Sequence, residues 1–296
     1  MHIAPMHIAM TYTRLRAEER LLLDAFESAG VRVTPIDLRQ AVFDPANAGE
    51  WTQYDAVVDR SVSLTASLTA TRILEGLGIR CINRPEAIRV CSDKLDTTIA
   101  LIRAGVPTPG VRVGLGAESA IESVEQIGYP AVLKPTVGSW GRLVARVNDR
   151  DAAEAIIEHR ETLGSVQQGV FYVQEHIDKP GRDIRVFVVG GEAIAAIVRS
   201  SGHWVTNTAR GATAEGLEVT AELRDLSERS VAAVGADVAA VDLLECPQRG
   251  LLVNEINHSM EFRNSIATTG VDIPGHVAAH VVRIAENVRT EQGALA

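Results

Sequence analysis

Apolar positions in the first ninety residues alternate between two spacings. Residues 16–29 carry them at helical spacing, and Gly30 follows where a helix would end. Short β-like runs cover residues 31–36 and 55–58, and residues 64–77 return to the helical spacing. Because strands that alternate with helices are typical of βαβ units, this segment predicts a small α/β domain with a parallel sheet.

The pattern changes after Asn83-Arg84-Pro85, where a proline interrupts the chain. A helix that carries Asp93 and Lys94 is expected to run to about residue 103. The following β-like runs lie at residues 131–134, 144–147 and 171–175, and residues 151–163 read as a helix between the last two. This middle segment predicts an α+β lobe.

The final third begins with a predicted β-hairpin, residues 183–189 and 193–199 joined by a tight turn at Gly190-Gly191. A helix over 223–234 and two strands over 238–244 and 251–256 follow. We therefore expect three units: an α/β domain over residues 1–88, an α+β lobe over 89–176 and a second α+β lobe over 177–296.

Composition excludes several classes of function. A formal net charge of −9 argues against a surface built for nucleic-acid phosphates or anionic lipid. No apolar run approaches the length of a membrane span, and no charged segment followed by a hydrophobic one opens the chain. The three cysteines lack metal-ligand spacing and are expected to be reduced thiols. These features predict a soluble cytoplasmic protein that binds neither nucleic acid nor a membrane.

Oxygen-bearing side chains cluster on the last two predicted strands. Glu255 and Asn257 share one strand face because side chains alternate, and the preceding turn allows Asp242 to sit opposite them. Mg²⁺ is commonly held by one or two carboxylates together with substrate phosphates. A solvated polar face is the alternative, but the apolar neighbours mark both strands as buried, where unpaired carboxylates are costly.

A lysine followed by a glycine-containing loop suggests a phosphate site. Lys134 ends a predicted strand, and the loop from Gly138 to Arg142 exposes backbone amides that can cradle phosphate oxygens. The segment does not match the Walker pattern. Taken alone, the loop is explained at least as well by an ordinary turn. Taken alone, Lys94 on its helix is better explained by a solvated helix face.

Arginines and a polar run complete the candidate chemistry. Arginine binds carboxylate and phosphate with a bidentate fork, although for any single arginine a surface ion pair is the more common role. The polar run Glu261-Phe262-Arg263-Asn264 leads into Thr268-Thr269, and it could bind a substrate or form a capped loop. The arginines near the hairpin and beyond it are Arg182, Arg185, Arg199, Arg210 and Arg263.

With these residues in view, the chain resembles the RimK-like branch of the ATP-grasp ligases, and within it the LysX/ArgX group, from about residue 6 to 285. Its specific stretches are Lys134-Pro-Thr-Val-Gly-Ser-Trp-Gly-Arg142, Gln174-Glu-His-Ile177, Gly181-Arg-Asp-Ile-Arg-Val-Phe-Val-Val189, Asn207-Thr-Ala-Arg-Gly211 and Asn254-Glu-Ile-Asn-His-Ser-Met-Glu-Phe-Arg-Asn264. The resemblance implies an ATP-grasp fold, in which an N-terminal parallel-sheet domain precedes two α+β lobes that clamp ATP.

The resemblance also implies roles for individual residues. It assigns nucleotide binding to Lys94, Lys134, Gly138, Ser139, Trp140, Gly141, Arg142, Gln174, Glu175, His176, Ile177, Asp183 and Arg185. It assigns the reaction to Lys134, Arg199, Asn207 and Arg210, and two Mg²⁺ ions to Asp242, Glu255 and Asn257. It assigns substrate binding to Arg60, Ser61, Arg263, Asn264, Thr268 and Thr269.

Members of this group join α-aminoadipate or glutamate to the C-terminal glutamate of the small acidic carrier protein LysW through an acyl phosphate. The resemblance therefore implies an ATP-dependent carboxylate-amine ligase with a LysW-type partner, an acidic amino-acid substrate and a homo-oligomeric state, dimer or tetramer. An acidic carrier would need a local positive surface, for which Arg182, Arg185, Arg199 and Arg210 are candidates. The alternatives are a RimK-like glutamate ligase acting on another acceptor and a nucleotide-binding module that has lost catalysis.

Overall fold

The N-terminal part of the chain is a four-stranded parallel sheet with strand order β2-β1-β3-β4. A computed structural model describes residues 5–138, 142–164, 169–206 and 211–295. The strands are β1 (His7–Tyr12), β2 (Arg32–Asp37), β3 (Ala56–Asp59) and β4 (Cys81–Ile82), and helices α1 (Ala17–Ser28) and α2 (Leu64–Gly76) connect them. The predicted parallel sheet is confirmed, and its central strand β1 is an addition to the predicted elements.

The middle segment forms a separate antiparallel sheet with order β5-β8-β6-β7. Its strands are β5 (Val111–Gly114), β6 (Ala131–Lys134), β7 (Ala145–Val147) and β8 (Phe171–Glu175), packed against α5 (Ala117–Ile127) and α6 (Arg150–Leu163). Two helices precede it, α3 (Pro85–Ser92) and α4 (Lys94–Arg103). Asp93 separates them and caps α4, because its carboxylate accepts hydrogen bonds from the backbone N–H of Leu95 and Asp96.

The last segment is a five-stranded sheet with order β11-β10-β9-β12-β13. Its strands are β9 (Arg182–Val189), β10 (Glu192–Ser200), β11 (Thr213–Leu217), β12 (Val238–Cys246) and β13 (Gly250–Asn257), and its helices are α7 (Ala221–Val234), α8 (Arg263–Thr269) and α9 (Ile273–Leu295). Gly190 and Gly191 form the predicted hairpin turn, and both have positive φ, which glycine adopts without a steric penalty. No helix in the described ranges is long and apolar enough to cross a bilayer.

One hydrophobic core joins the first sheet to the last. Ile8 and Phe26 of the N-terminal part pack in the same cluster as Phe187 of β9 and Val277 and Val281 of α9. The middle sheet has its own core around Leu133 and Phe171. Each of the three sheets falls within one of the segments 1–88, 89–176 and 177–296, whose boundaries stay a prediction.

A buried asparagine fixes the N-terminal part to the strands of the last sheet. The Asn83 amide nitrogen donates to the carbonyl oxygens of Val238 (2.7 Å) and His258 (2.9 Å). Its amide oxygen accepts from the N–H groups of Asp237 (2.6 Å) and Val238 (2.9 Å). The side chain therefore holds the start of β12 and the residue after β13 at the same time.

Replacement of Asn83 by alanine should lower the free energy of unfolding by about 3 kcal/mol or more, because backbone groups buried at the interface lose their partners. Urea denaturation of parent and variant measures the difference. The matched control is Asn47→Ala, an exposed asparagine whose side chain accepts one hydrogen bond from Gly49 N–H, and its cost should stay under about 1 kcal/mol. Equal effects of the two variants would contradict this role for Asn83.

Candidate active site

A cavity of about 430 Å³ is lined by residues from all three sheets or the loops that follow their strands. Ser61 follows β3, Lys134 ends β6, Gln174 lies on β8, and Asp242 and Glu255 lie on β12 and β13. Each contributes from the end of a strand or from a strand face that turns toward the cavity. The three segments thus contribute to one site.

The register of β12 and β13 brings the proposed metal ligands together. Asp242 lies opposite Glu255 across the antiparallel pair, and Asn257 lies opposite Ala240. The Asn257 amide nitrogen donates to Asp242 Oδ2 at 3.3 Å, and all three oxygen-bearing side chains line the same cavity. Asp242 and Glu255 therefore face one space rather than opposite surfaces of the sheet.

A β-bulge adds a fourth polar side chain to this face. The pairing passes from Asp242 with Glu255 to Leu243 with Val253, so Asn254 is the extra residue of β13. Both Asn254 and Glu255 line the cavity, although simple alternation would place them on opposite faces. The sequence carries no signal for this bulge, and Asn254 was not among the predicted site residues.

Two arginines neutralise Asp242. The Arg185 guanidinium binds the carboxylate in bidentate fashion, Nε to Oδ1 at 2.7 Å and Nη2 to Oδ2 at 2.8 Å. Arg199 adds a contact from Nη2 at 3.2 Å. Burial acts to raise the pKa of Asp242, but the two guanidinium groups outweigh it and hold that pKa at about 2.

Asp183 connects Arg199 to Thr206, which lies in the loop after β10. Its carboxylate accepts from Arg199 Nε at 2.6 Å and from the hydroxyl of Thr206, and Lys179 Nζ lies 3.7 Å away. Burial lowers the pKa of Lys179, while Asp183 acts to raise it. Arg199 is thus oriented by two carboxylates, which leaves its position in the cavity wall well defined.

Two lysines in the cavity are held by neutral oxygens. Lys134 Nζ donates to Gln174 Oε1 at 2.8 Å and to Asn254 Oδ1 at 3.1 Å, and Lys94 Nζ donates to the Gly138 carbonyl at 2.7 Å. Within the described residues neither ammonium group forms an ion pair within 4.0 Å. Burial lowers the pKa of Lys134 to about 8; Lys94 acts in the same direction and Glu255 opposes it. Positive charge is therefore available to an incoming anion.

A third part of the lining joins the middle sheet to the last one. Glu175 accepts a hydrogen bond from Gly110 N–H at 2.6 Å and also binds Arg249 from the turn before β13. Trp204 also lines the cavity, with the Arg146 guanidinium 5.6 Å from its ring centroid and the His176 ring centroid 6.1 Å from that centroid. Trp204 and Arg146 were not predicted.

The structure brings most of the predicted nucleotide, reaction and metal residues into the cavity lining. These are Lys94, Lys134, Gly138, Arg142, Gln174, Glu175, His176, Ile177, Asp183, Arg185, Arg199, Asp242, Glu255 and Asn257, together with Ser61 from the substrate set. Ser139, Trp140, Gly141, Asn207 and Arg210 lie outside the described residues. The roles assigned to all of them stay predictions.

The other predicted substrate residues lie outside the lining. Arg60 is buried behind it, where its guanidinium contacts Glu19 at 3.2 Å and the Met260 carbonyl at 3.0 Å. The remaining four residues lie on α8 and are Arg263, Asn264, Thr268 and Thr269. The hydroxyl groups of both threonines donate to the carbonyl of Ser265. Among the docking candidates, Arg182 is an exposed residue paired with Glu245.

The donor set fits Mg²⁺ bound together with a nucleotide rather than a closed protein metal site. Among the described residues no cluster of three or more His, Cys, Asp or Glu side chains could hold a metal ion. Asp242 and Glu255 supply two carboxylates and Asn257 an amide oxygen on one strand pair. Because Mg²⁺ prefers oxygen ligands and usually keeps waters or phosphate oxygens, this partial set suits it.

Replacement of Lys134 by methionine should reveal its lowered pKa. Between about pH 8 and its ordinary pKa of 10.5, the unfolded chain holds one more proton on Lys134 than the folded chain, so the stability of the parent rises with pH there. The free energy of unfolding of the parent minus that of Lys134→Met should therefore rise by about 2–3 kcal/mol from pH 7 to pH 10. Urea denaturation across this range measures it, and a constant difference would contradict the burial of a charged ammonium.

Comparison with known proteins shows the family of the chain. Residues 91–281 match the RimK-like ATP-grasp domain, and residues 8–90 match the LysX preATP-grasp domain. The chain is 34% identical to the glutamate–LysW ligase ArgX of Sulfurisphaera tokodaii over 93% of its length and 98% of the relative's. It is also 34% identical to the α-aminoadipate–LysW ligase LysX of Sulfolobus acidocaldarius, over 89% and 96% of the two chains.

Solved structures show the same relationship. The crystal structure of a RimK domain ATP-grasp protein from Sphaerobacter thermophilus superposes with a TM-score of 0.76 at 30% sequence identity and covers 93% of this chain and 98% of that one. Together the two domain matches cover residues 8–281, and the matches to the two relatives and the solved structure cover 89% to 93% of the chain. The chain therefore belongs to the RimK-like ATP-grasp ligases.

Proposed function

We propose that this enzyme uses Mg²⁺-ATP to join the C-terminal glutamate of a LysW-type carrier protein to the amino group of α-aminoadipate or a related acidic amino acid. The two named relatives act on LysW with glutamate and with α-aminoadipate, and the chain is equally similar to both, at 34% identity. Identity alone therefore supports the carrier without selecting the amino acid. The cytoplasmic location and the homo-oligomeric state expected from the resemblance stay predictions.

The observation that carries the proposal is the division of charge within the cavity. Lys94 and Lys134 present ammonium groups that are bound to neutral oxygens, while Asp242 and Glu255 present carboxylates from the facing strand pair. The lysines suit the phosphate oxygens of a nucleotide, and the carboxylates suit the metal ion that accompanies it. A bound nucleotide would connect the two charged regions.

The first chemical step requires charge neutralisation more than a nucleophilic side chain. A carboxylate oxygen of the carrier bonds to the γ-phosphorus of ATP, the bond to the β-phosphate oxygen breaks, and ADP leaves. Mg²⁺ held by Asp242, Glu255 and Asn257 would supply further positive charge to the phosphates. Lys134 and Arg199 line the cavity, where their positive charges would offset the repulsion between carboxylate and phosphate.

The second step forms the amide bond. The amino nitrogen of the substrate bonds to the acyl carbon and the bond from that carbon to the phosphate oxygen breaks. Of the two protons lost by the ammonium group, one leaves with inorganic phosphate and the other enters solvent. The cavity must therefore hold the amino acid beside the acyl phosphate and limit the access of water.

The arginines predicted to dock the carrier are mostly engaged. Arg185 and Arg199 bind carboxylates inside the cavity, so only an extended chain terminus of the carrier could reach them. Arg182 is exposed on the surface and paired with Glu245, and an exposed ion pair of this kind is weak. We therefore retain Arg182 as a contact for the surface of the carrier. Arg185 and Arg199 remain candidates only for binding the terminal carboxylate of the carrier.

Incubation of the protein with Mg²⁺-ATP, a LysW-type carrier and either glutamate or α-aminoadipate tests the function. Intact-mass spectrometry should show the carrier heavier by one amino-acid residue, with one ADP released per ligation, and the amino acid with the higher kcat/KM identifies the substrate. A carrier of unchanged mass with both amino acids would reject the proposal. ADP release with another acceptor would then favour the alternative glutamate ligase, and ATP binding without turnover would favour a module that has lost catalysis.

Replacement of Asp242 by asparagine should lower the rate of ADP formation by about 100-fold or more, because a metal-binding carboxylate at the phosphates is lost. The control is Glu245→Gln, on the same strand but paired with Arg182 at the surface, which should retain the parent rate of ADP formation at saturating carrier. Steady-state ADP release measures both, and thermal unfolding checks that each variant is folded. An Asp242→Asn enzyme as fast as the control would exclude this metal site.

A further inference from the structure

One end of the cavity lies where the N-terminal part meets the chain that follows β13. Arg16 and Ser61 line this end from one side, and His258, Ser259 and Glu261 line it from the other. Arg16 precedes α1, so it reaches the cavity from a part of the chain 245 residues away from Glu261. Arg16 carries no predicted role, whereas Glu261 begins the polar run that the sequence offers as a possible substrate contact.

Arg16 is held in one orientation by a buried carboxylate. Glu19 accepts from Arg16 Nε at 3.0 Å, from Nη2 at 2.8 Å and from the Arg16 backbone N–H at 2.8 Å. Glu19 is fully buried and also contacts Arg60 at 3.2 Å, so its own position is fixed. Burial acts to lower the pKa of Arg16, but its bond to Glu19 outweighs this and raises it.

This anchoring leaves the outer edge of the guanidinium for another partner. A guanidinium group has two edges that can bind a carboxylate, and Glu19 occupies the edge formed by Nε and Nη2. Nη1 belongs to the other edge and contacts Glu261 at 3.3 Å. The Glu261 side chain is 43% exposed, so this contact is a loose ion pair that an incoming ligand can replace at small cost.

The positive charge of Arg16 and the negative charge of Glu261, whose nearest atoms are 3.3 Å apart, complement the two charges of a free α-amino acid. Its carboxylate and its ammonium group are attached to one carbon atom, so they can face a cation and an anion that lie side by side. The carboxylate would bind the outer edge of Arg16, and the ammonium group would bind Glu261. The bound amino acid would thus replace the ion pair between Arg16 and Glu261 with two ion pairs, one to each side chain.

We propose that Arg16 and Glu261 bind the α-carboxylate and the α-ammonium group of the amino-acid substrate, with Glu19 as the positioning residue for Arg16. The assignment rests on the proposed ligase function, because the amino group bound at Glu261 is the one that attacks the acyl phosphate. It differs from the predicted substrate set on α8, whose four side chains lie outside the cavity lining.

The path of the chain places this site next to the proposed metal ligands. Glu261 follows Asn257, the last residue of β13, by four positions. The segment between them is held on both sides, because Asn83 donates to the His258 carbonyl and Arg60 donates to the Met260 carbonyl. An amino group bound at Glu261 is thus anchored through a short, fixed segment to the strand that carries Glu255.

Equilibrium dialysis with radiolabelled amino acid in the presence of Mg²⁺ and a non-hydrolysable ATP analogue measures the binding itself. The labelled amino acid is the one that the ligation assay prefers, or glutamate if there is no ligation. Arg16→Gln and Glu261→Gln should each weaken its binding about tenfold or more, since each loses a charge-assisted partner. Arg16→Lys keeps the charge without the fork and should bind with intermediate affinity. The control is Arg20→Gln, an exposed arginine on α1 outside the cavity lining, which should match the parent.

Steady-state kinetics separates this role from a structural one. In Arg16→Gln the KM for the amino acid should rise about tenfold or more while the KM for ATP stays within about twofold of the parent value. An amino-acid KM and affinity equal to those of the parent in a folded Arg16→Gln enzyme would overturn the assignment. Equal losses for ATP and amino acid would also overturn it, because they indicate general damage to the cavity.

A competitor that lacks only the α-carboxylate tests the orientation. Isoglutamine keeps the amino group and the side-chain carboxylate of glutamate but carries an α-amide, so it should fail to displace labelled amino acid from the parent. Effective displacement by isoglutamine would mean that Arg16 does not bind the α-carboxylate. If the carrier shows no mass shift with any amino acid, the ligase function fails, yet dialysis still reports whether Arg16 and Glu261 form an amino-acid site.

Discussion

The pairing of β12 with β13 is the constraint on which the whole site depends. Asp242 and Glu255 lie opposite each other only in the observed register, and a shift by one residue would turn one of them to the other face of the sheet. The bulge at Asn254 then places a further polar side chain beside Glu255. Asn254 and Gln174 both accept hydrogen bonds from Lys134, so the strand pair also fixes the position of this lysine of the middle segment.

The buried carboxylates around Arg199 are all compensated by cations of the protein itself. Arg185 and Arg199 neutralise Asp242, and Asp183 shares Arg199, so no deeply buried carboxylate in this group lacks a cation. Lys134 differs, because its partners are amide oxygens and burial disfavours its charge. This buried ammonium group makes folding less favourable near neutral pH, and it is the charge that an anionic ligand would stabilise.

Much of the fold can be predicted from local sequence patterns. The elements that cannot be predicted in this way depend on contacts with distant parts of the chain. Amphipathic helices such as α1 and α2 and the glycine turn after β9 are visible in the sequence, because one face is buried and the turn has a specific residue requirement. β1 lacks alternation, since its first five residues are all buried between covering layers. The long helix α9 owes its place to packing against the N-terminal part, which no local window records.

The same distinction explains which site residues could be predicted. Asp242, Glu255 and Asn257 lie on neighbouring strands with a short turn between them, so alternation and family resemblance find them together. Arg16 could not be found in this way, because its proposed role depends on two other residues. These are Glu19, a buried residue of α1, and Glu261, which lies in a loop near the other end of the chain. The proposed nucleotide residues thus lie in local motifs, whereas the proposed amino-acid site is assembled from the N-terminal part and the segment that follows β13. On this proposal, substitutions at that boundary can alter amino-acid binding without altering the proposed nucleotide residues.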